Sequence, residues 1–163
     1  MNILLQKHNK NHESTVLRYI VSFFRAHHAN IDDGQAHENL SDWTQADHEL
    51  YDILGDGKPV GFLHLNMRGS TVCWIEDIFV AEHLRGQGIA SKAIELAEEI
   101  LRRRGVTGVC MDVVPDNIAA LKLYHRLGYD RLSTVTVRKD FQPFETDRTE
   151  RIARMDFRIK KFD

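Results

Sequence analysis

The spacing of apolar side chains changes several times along the chain and predicts most of its elements. Ile3 to Gln6 reads as a short strand. From His12 to His28 the apolar positions recur at helical spacing, with Val16, Leu17, Ile20, Val21, Phe23 and Phe24 on one face and Asn11 or Ser14 as the cap. Asn30-Ile31-Asp32-Asp33-Gly34 breaks that helix, and Gln35 to Thr44 is expected to form a second, short one around Leu40 and Trp43. From His48 the period falls to two. Leu50 to Leu54, the turn Gly55 to Pro59 and Val60 to Met67 predict a hairpin, and Arg68-Gly69-Ser70 turns the chain into a strand from Val72 to Val80. Ile89, Ala93, Ile94, Leu96, Ala97, Ile100 and Leu101 then restore a helical stripe, backed by the pairs Glu98–Arg102 and Glu99–Arg103 and stopped by Gly105. Val106 to Val114 predicts a strand which, following a helix, should lie parallel to Val72–Val80 through a right-handed crossover. Pro115-Asp116-Asn117 opens a short helix that ends at Leu127 and Gly128. Arg131 to Lys139 and Ile152 to Lys160 are expected to close the chain as a last hairpin.

Length and charge narrow the function classes. A chain of 163 residues is one domain's length and can bury roughly 70% of its unfolded surface, so residues 1–163 are read as a single domain. Twenty-two basic against twenty-four acidic side chains give no reason to expect a nucleic-acid partner. No stretch approaches ~18 consecutive apolar residues, and Met1 to Lys10 lacks the apolar centre of a leader, so neither a membrane span nor export is expected. Cys73 and Cys110 sit inside apolar runs and read as buried thiols in a reducing, cytoplasmic setting. His8, His12, His27, His28 and His37 crowd the first part of the chain. His8 and His12 have the spacing of metal ligands, but a turn-forming Asn-Lys-Asn separates them and no cysteine stands nearby. Solvated surface histidines and no metal are the expectation.

The centre of the chain carries the candidate chemistry. Arg85-Gly86-Gln87-Gly88-Ile89-Ala90 joins the strand Val72–Val80 to the helix after it. A glycine-rich turn opening a helix offers unpaired amides and a positive dipole end, and is suited to hold phosphate. A dinucleotide fingerprint, Gly-x-Gly-x-x-Gly/Ala, would need glycine or alanine where Ser91 stands, and no Gly-Lys-Ser/Thr of a P-loop is present. Arg85, Gly88 and Ala90 do fit Arg/Gln-x-x-Gly-x-Gly/Ala, which resembles the diphosphate-binding signature of the GNAT superfamily of acyl-CoA-dependent N-acetyltransferases. Asn117-Ile118-Ala119-Ala120-Leu121-Lys122-Leu123-Tyr124 through Gly128-Tyr129 resembles a second pattern of that family, Asn-x-x-Ala-x-x-x-Tyr-x-x-x-Gly-Phe/Tyr, at every fixed position. Glu76-Asp77-Ile78-Phe79-Val80 is similar to its central strand, and to that of the spermidine/spermine acetyltransferase branch in particular.

The resemblance implies an α/β fold: a mixed, mostly antiparallel sheet whose central parallel strand pair splays around the cofactor, flanked by helices. It implies acetyl-CoA as co-substrate and an amine acceptor, with homodimerisation left open. Backbone groups of Ile78, Phe79 and Val80 would pair with the pantetheine arm. Arg85, Gly86, Gln87, Gly88, Ile89, Ala90 and Ser91 would hold the diphosphate, and Asn117 would contact the cofactor arm or simply cap its helix. Tyr124 carries over as the general acid for the departing thiolate, although its helical stripe also suits a core aromatic. Glu76, among Trp74, Ile75, Ile78 and Phe79, is the candidate base with a raised pKa, or alternatively a carboxylate paired with a neighbouring cation. A bulge expected at this point would bring Asp77 out of simple alternation. Glu76 and Asp77, with Asp32 and Asp33, would favour cationic acceptors. The family's alternative outcome is a non-catalytic acyl-CoA-binding regulator on the same fold.

Overall fold

A computed structural model describes residues 1–68, 71–143, 145–146 and 148–159. Gly69 and Ser70 of the expected turn, Lys160 at the end of the last expected strand, and Phe144 and Asp147 lie outside the described residues. The chain forms two compact units, Met1–Asp112 and Val113–Asp163.

In the first unit, strands β1 (Ile3–Lys7), β2 (His48–Gly55), β3 (Lys58–Asn66), β4 (Val72–Val80) and β5 (Gly108–Cys110) hydrogen-bond in that order. All neighbours are antiparallel except β4 and β5. Helices α1 (Glu13–Ala26) and α2 (Asp33–Asp42) precede β2, and α3 (Ile89–Arg103) links β4 to β5. The ion pairs Glu98–Arg102 and Glu99–Arg103 form along α3, and Gly105 follows it at φ +80. Strand register sorts the side chains by face. Leu50, Phe62 and Phe79 lie on one face and join Val16, Ile20 and Phe23 of α1 and Ala36, Leu40 and Trp43 at α2 in a single apolar cluster. On the opposite face Ile53, Leu63, Leu65, Cys73 and Ile75 are buried, as is the stripe Ile89, Ala93, Ile94, Ala97 and Leu101 of α3.

Three expectations are corrected in this unit. Helix α1 begins after a 3-10 turn at Lys10–His12, and its N-cap is His12 with no side-chain cap bond. Asn9 caps the preceding turn instead of Asn11 or Ser14 capping the helix. Helix α2 starts earlier than expected because Asp32 and Gln35 form a reciprocal capping box. Strand β5 keeps only Gly108–Cys110 of the apolar run Val106 to Val114. Pairing with β4 stops at Trp74↔Cys110, two residues before a bulge at Glu76. A bulge bends and twists its strand, so an apolar sequence alone does not keep β5 in register.

The histidines divide in two. His27, His28 and His37 are exposed as expected. His8 and His12 are not solvated: their Nδ1 atoms donate at 2.7 and 2.8 Å to the two oxygens of Asp52, which is fully buried on β2. A buried carboxylate needs such partners, and here they come from the chain start.

The second unit holds α4 (Ile118–Arg126) and a hairpin of β6 (Arg148–Ile152) and β7 (Met155–Ile159). The expected pairing of Arg131–Lys139 with the last strand does not occur, and residues 131–140 form no strand. Ala153 and Arg154 take positive φ of 49° and 67° and close a tight local hairpin, which Arg151 clasps through Asp156. Closing this short loop costs less entropy than pairing with a segment far upstream.

Gly61 has no room for a side chain against β4. A Cβ there would meet the Phe79 carbonyl oxygen at 2.0 Å. Gly61→Ala must therefore push β3 and β4 apart, and a loss of about 1–3 kcal/mol is expected. A lower urea midpoint at unchanged m-value measures it; an unchanged midpoint refutes it.

Candidate active site

The loop expected to hold phosphate carries left-handed backbone at both of its glycines. A 3-10 turn at Glu82–Leu84 ends β4, and Gly86 and Gly88 follow with φ of +77° and +76°. Space is not the constraint, since a Cβ at either glycine would meet nothing within 4 Å. Left-handed backbone is the constraint. Gly88 is the N-cap of α3 and makes no side-chain cap. Lys92 N–H makes the first intrahelical bond, to Gly88 C=O at 3.0 Å. The amides of Ile89, Ala90 and Ser91 precede that bond and have no intrahelical acceptor. They point out at the positive end of a 15-residue helix. Arg85 is placed differently from a ligand side chain: its Nε donates to Val80 C=O at 3.2 Å, and its guanidinium lies 5.6 Å from the Phe79 ring centre.

The strand before this loop offers an unpaired edge. Ala81 N–H donates to Val60 C=O at 2.9 Å, so by alternation the backbone groups of Phe79 and Asp77 face β3. Those of Ile78 and Val80 face the other way. Beyond Trp74, no strand among the described residues pairs with β4 on that side. The expected splay of β4 from β5 is thus present, with Ile78 and Val80 on the open edge and Phe79 on the closed one. Of the three residues expected to pair with a pantetheine arm, two face the open edge.

The bulge brings both carboxylates to the face of α1 and α2. Glu76 accepts from Asn66 Nδ2 at 3.0 Å and from Arg68 Nε and Nη2 at 2.8 Å each. Partial burial alone would raise its pKa, but the bonds and charge of Arg68, the bond from Asn66 and the charge of His64 together hold it below the ordinary carboxylate value. The raised pKa expected from its apolar neighbours is therefore corrected. Desolvation is the largest single influence on it, but Arg68, Asn66 and His64 together outweigh it. Arg68 also stacks 4.5 Å over the Trp74 ring.

Asp77 has a different setting. Its Oδ2 accepts from His64 Nδ1 at 2.8 Å, and His64 Nε2 lies 2.8 Å from His48 Nδ1. His64 is 2% exposed, with the Trp43 ring stacked on it at 4.7 Å. Sequence reasoning passed over His48 and His64. The available signal was the alternation Phe62-x-His64-x-Asn66, which places an imidazole on the face that otherwise carries the core.

In the second unit, Asn117 caps α4, its Oδ1 accepting from Ala120 N–H at 3.1 Å. Tyr124 is half-buried, edge-on to Tyr129 with ring centres 6.2 Å apart. Burial pushes its phenol above the ordinary value, so the hydroxyl stays protonated across the neutral range. Ile118 and Leu121, on the same stripe, are exposed.

The Glu76 pairing has a measurable sign. Its lowered pKa contributes stability above the unfolded value of about 4.3, and that contribution is lost as pH falls through the folded value. Arg68→Ala leaves burial unopposed by the guanidinium, so the Glu76 carboxyl should titrate at higher pH by carbon-detected NMR. An unmoved titration refutes the assignment.

The chain's relatives agree with this geometry. Residues 15–129 match the family described as Acetyltransferase (GNAT) family. An acetyltransferase of Agrobacterium fabrum is 39% identical over 62 residues, 38% of this chain and 44% of that protein. An aminoglycoside N(6')-acetyltransferase type 1 of Salmonella typhimurium is 27% identical over 100 residues, 56% of this chain and 69% of that one. The chain spans less than half the length of the first curated relatives it matches, at 44%, 38% and 43%. Among solved structures, aminoglycoside N-acetyltransferase AAC(6')-Iy in complex with CoA superposes with a TM-score of 0.71 at 21% identity, over 86% of this chain and 96% of that one. With a match covering most of its length and the splayed strand, bulge and glycine loop in place, the chain belongs to the GNAT acetyltransferase family.

Proposed function

We propose that the protein transfers the acetyl group of acetyl-CoA to a primary amine by direct attack, the acceptor being a small cationic amine or a protein amino group. The observation that carries the reading is the continuity of the open β4 edge at Ile78 and Val80 with the free amides of Ile89, Ala90 and Ser91. An extended polar arm ending in a diphosphate needs that pairing of features. The Ile78 N–H would polarise the thioester carbonyl, and Tyr124 would protonate the thiolate as it leaves.

Direct attack is favoured over a covalent acetyl-enzyme. Burial pushes the Cys73 thiol up to about 11, so it is not a thiolate near neutral pH and is a poor nucleophile. Cationic acceptors are favoured by Glu76 and Asp77 on one face of β4, and a relative is named for aminoglycosides. Glu76 stands as a candidate base acting through water. With both oxygens engaged, it is better suited to attracting the acceptor than to taking its proton.

Two variants test the roles separately. Gly88→Asp forces a side chain into left-handed backbone and sets a negative charge beside the amides; calorimetry should find acetyl-CoA binding lost, and undiminished affinity sinks the phosphate site. Tyr124→Phe should keep the fold and acetyl-CoA affinity while kcat falls about 10²–10⁴-fold. Free-thiol release with spermidine, kanamycin and a lysine peptide as acceptors reads the rate. A kcat within twofold of wild type returns Tyr124 to a packing role.

A further inference from the structure

We propose that Asp77, oriented by the imidazole pair His64–His48, is the proton acceptor for the attacking amine. The inference rests on the acetyl-transfer reading and assigns a step of it. Acetylating an ammonium ion by a thioester yields an amide, a free thiol and one proton, and some group must take that proton at the site.

Geometry separates the two carboxylates of the bulge. Both oxygens of Glu76 are bonded, and its principal partner is a guanidinium with a permanent charge. A carboxylate in that pairing holds a proton weakly. Asp77 spends only Oδ2, on His64 Nδ1, and its Oδ1 has no hydrogen-bond partner among the described residues. Its side chain is 20% exposed while that of His64 is 3% exposed. The carboxylate is therefore accessible, and the group that aims it is not. Asp77 also immediately precedes Ile78, whose N–H faces the open edge.

The order of donors follows from the charge on Asp77, since an ionised carboxylate can only accept. An ionised Asp77 accepts from His64 Nδ1–H, so the neutral His64 presents Nε2 as an acceptor. His48 Nδ1–H then donates to it. The titratable groups facing His64 are Asp77 and Glu76 on β4 and His48 on β2, with the Trp43 indole closing the site at the end of α2. Held in this way, the imidazole fixes the carboxylate without neutralising it by a permanent charge. His64 and His48 are positioning residues and do not touch the amine.

The step balances. An N–H bond of the ammonium breaks and its proton goes to Asp77 Oδ1. The freed lone pair forms the N–C bond at the thioester carbonyl, and the C–S bond breaks. The second nitrogen proton, lost as the amide forms, balances the proton that a general acid delivers to the departing thiolate. Asp77 returns its proton to water after the product leaves.

The test compares wild type with Asp77→Asn, His64→Gln, His64→Leu and Glu76→Gln, using spermidine, kanamycin and a lysine peptide, free-thiol release and acetyl-CoA calorimetry. Asp77→Asn should lower kcat about 10²–10⁴-fold at unchanged acetyl-CoA affinity. His64→Gln keeps a donor for Asp77 and should retain most of kcat, whereas His64→Leu removes the donor and should lower kcat with KM and acetyl-CoA affinity unchanged. Glu76→Gln should chiefly raise KM. A kcat within twofold of wild type in Asp77→Asn overturns the assignment and leaves acetyl transfer standing. Should that variant fail to fold, equal kcat values in His64→Leu and His64→Gln overturn it equally. No turnover by wild type with any of the three amines overturns acetyl transfer and this step with it.

Discussion

The site depends on an asymmetry in how β4 is paired. Along one edge it is bonded to β3 as far as Val80; along the other, β5 covers only Val72 to Trp74. A strand in the middle of a sheet normally has both edges satisfied, because an unpaired amide in an apolar setting is costly. Here the bulge at Glu76 bends β4 away from its parallel neighbour and leaves the Ile78 and Val80 groups on an open edge. Arg85 takes up the Val80 carbonyl, so the backbone left open is that of Ile78 and the N–H of Val80. The same bulge, by adding one residue, brings Glu76 and Asp77 onto the same face. Edge and carboxylates thus share one backbone irregularity.

What holds that irregularity is the packing on either side of it. Phe79 and Phe62 stack with ring centres 5.8 Å apart, and the Gly61 contact allows β3 and β4 to close tightly just past the bulge. On the opposite face, Cys73 and Ile75 are buried just before it. A strand anchored on both sides of one extra residue has little freedom to slip, since a one-residue shift would exchange its faces. The glycine loop inherits this rigidity through the turn at Glu82–Leu84.

Much of this was legible in the sequence. The helical stripe of α3, the extent of β4 and the two glycines follow from periodicity and local backbone demand, and the structure places them within a residue or two of expectation. Long-range partners were not legible. The last hairpin was mispaired because alternation in residues 131–139 says nothing about which strand is nearest in chain, and the Ala153-Arg154 turn lacks the usual glycine signal. His8 and His12 were read as solvated because their partner, Asp52, lies forty or more residues away and looks in sequence like an ordinary polar strand position. The raised pKa of Glu76 failed for a related reason: nearest neighbours in sequence are apolar, whereas Arg68 and Asn66 reach it across a turn and a strand.

The distribution of cations on this face then decides what its acids can do. Arg68 is committed to Glu76 and also reaches Asp112. Arg85 is turned back onto the strand end, leaving Asp77 with an imidazole instead. A guanidinium keeps its charge at every pH the protein meets, but an imidazole changes state within the physiological range. Two adjacent carboxylates are thereby set apart by their partners alone: both oxygens of Glu76 are bonded, whereas Asp77 spends one on an imidazole and keeps the other without a partner among the described residues. On the proposed reading, the first would attract a cationic acceptor and the second would exchange protons with it, so that each property could be tuned without loss of the other.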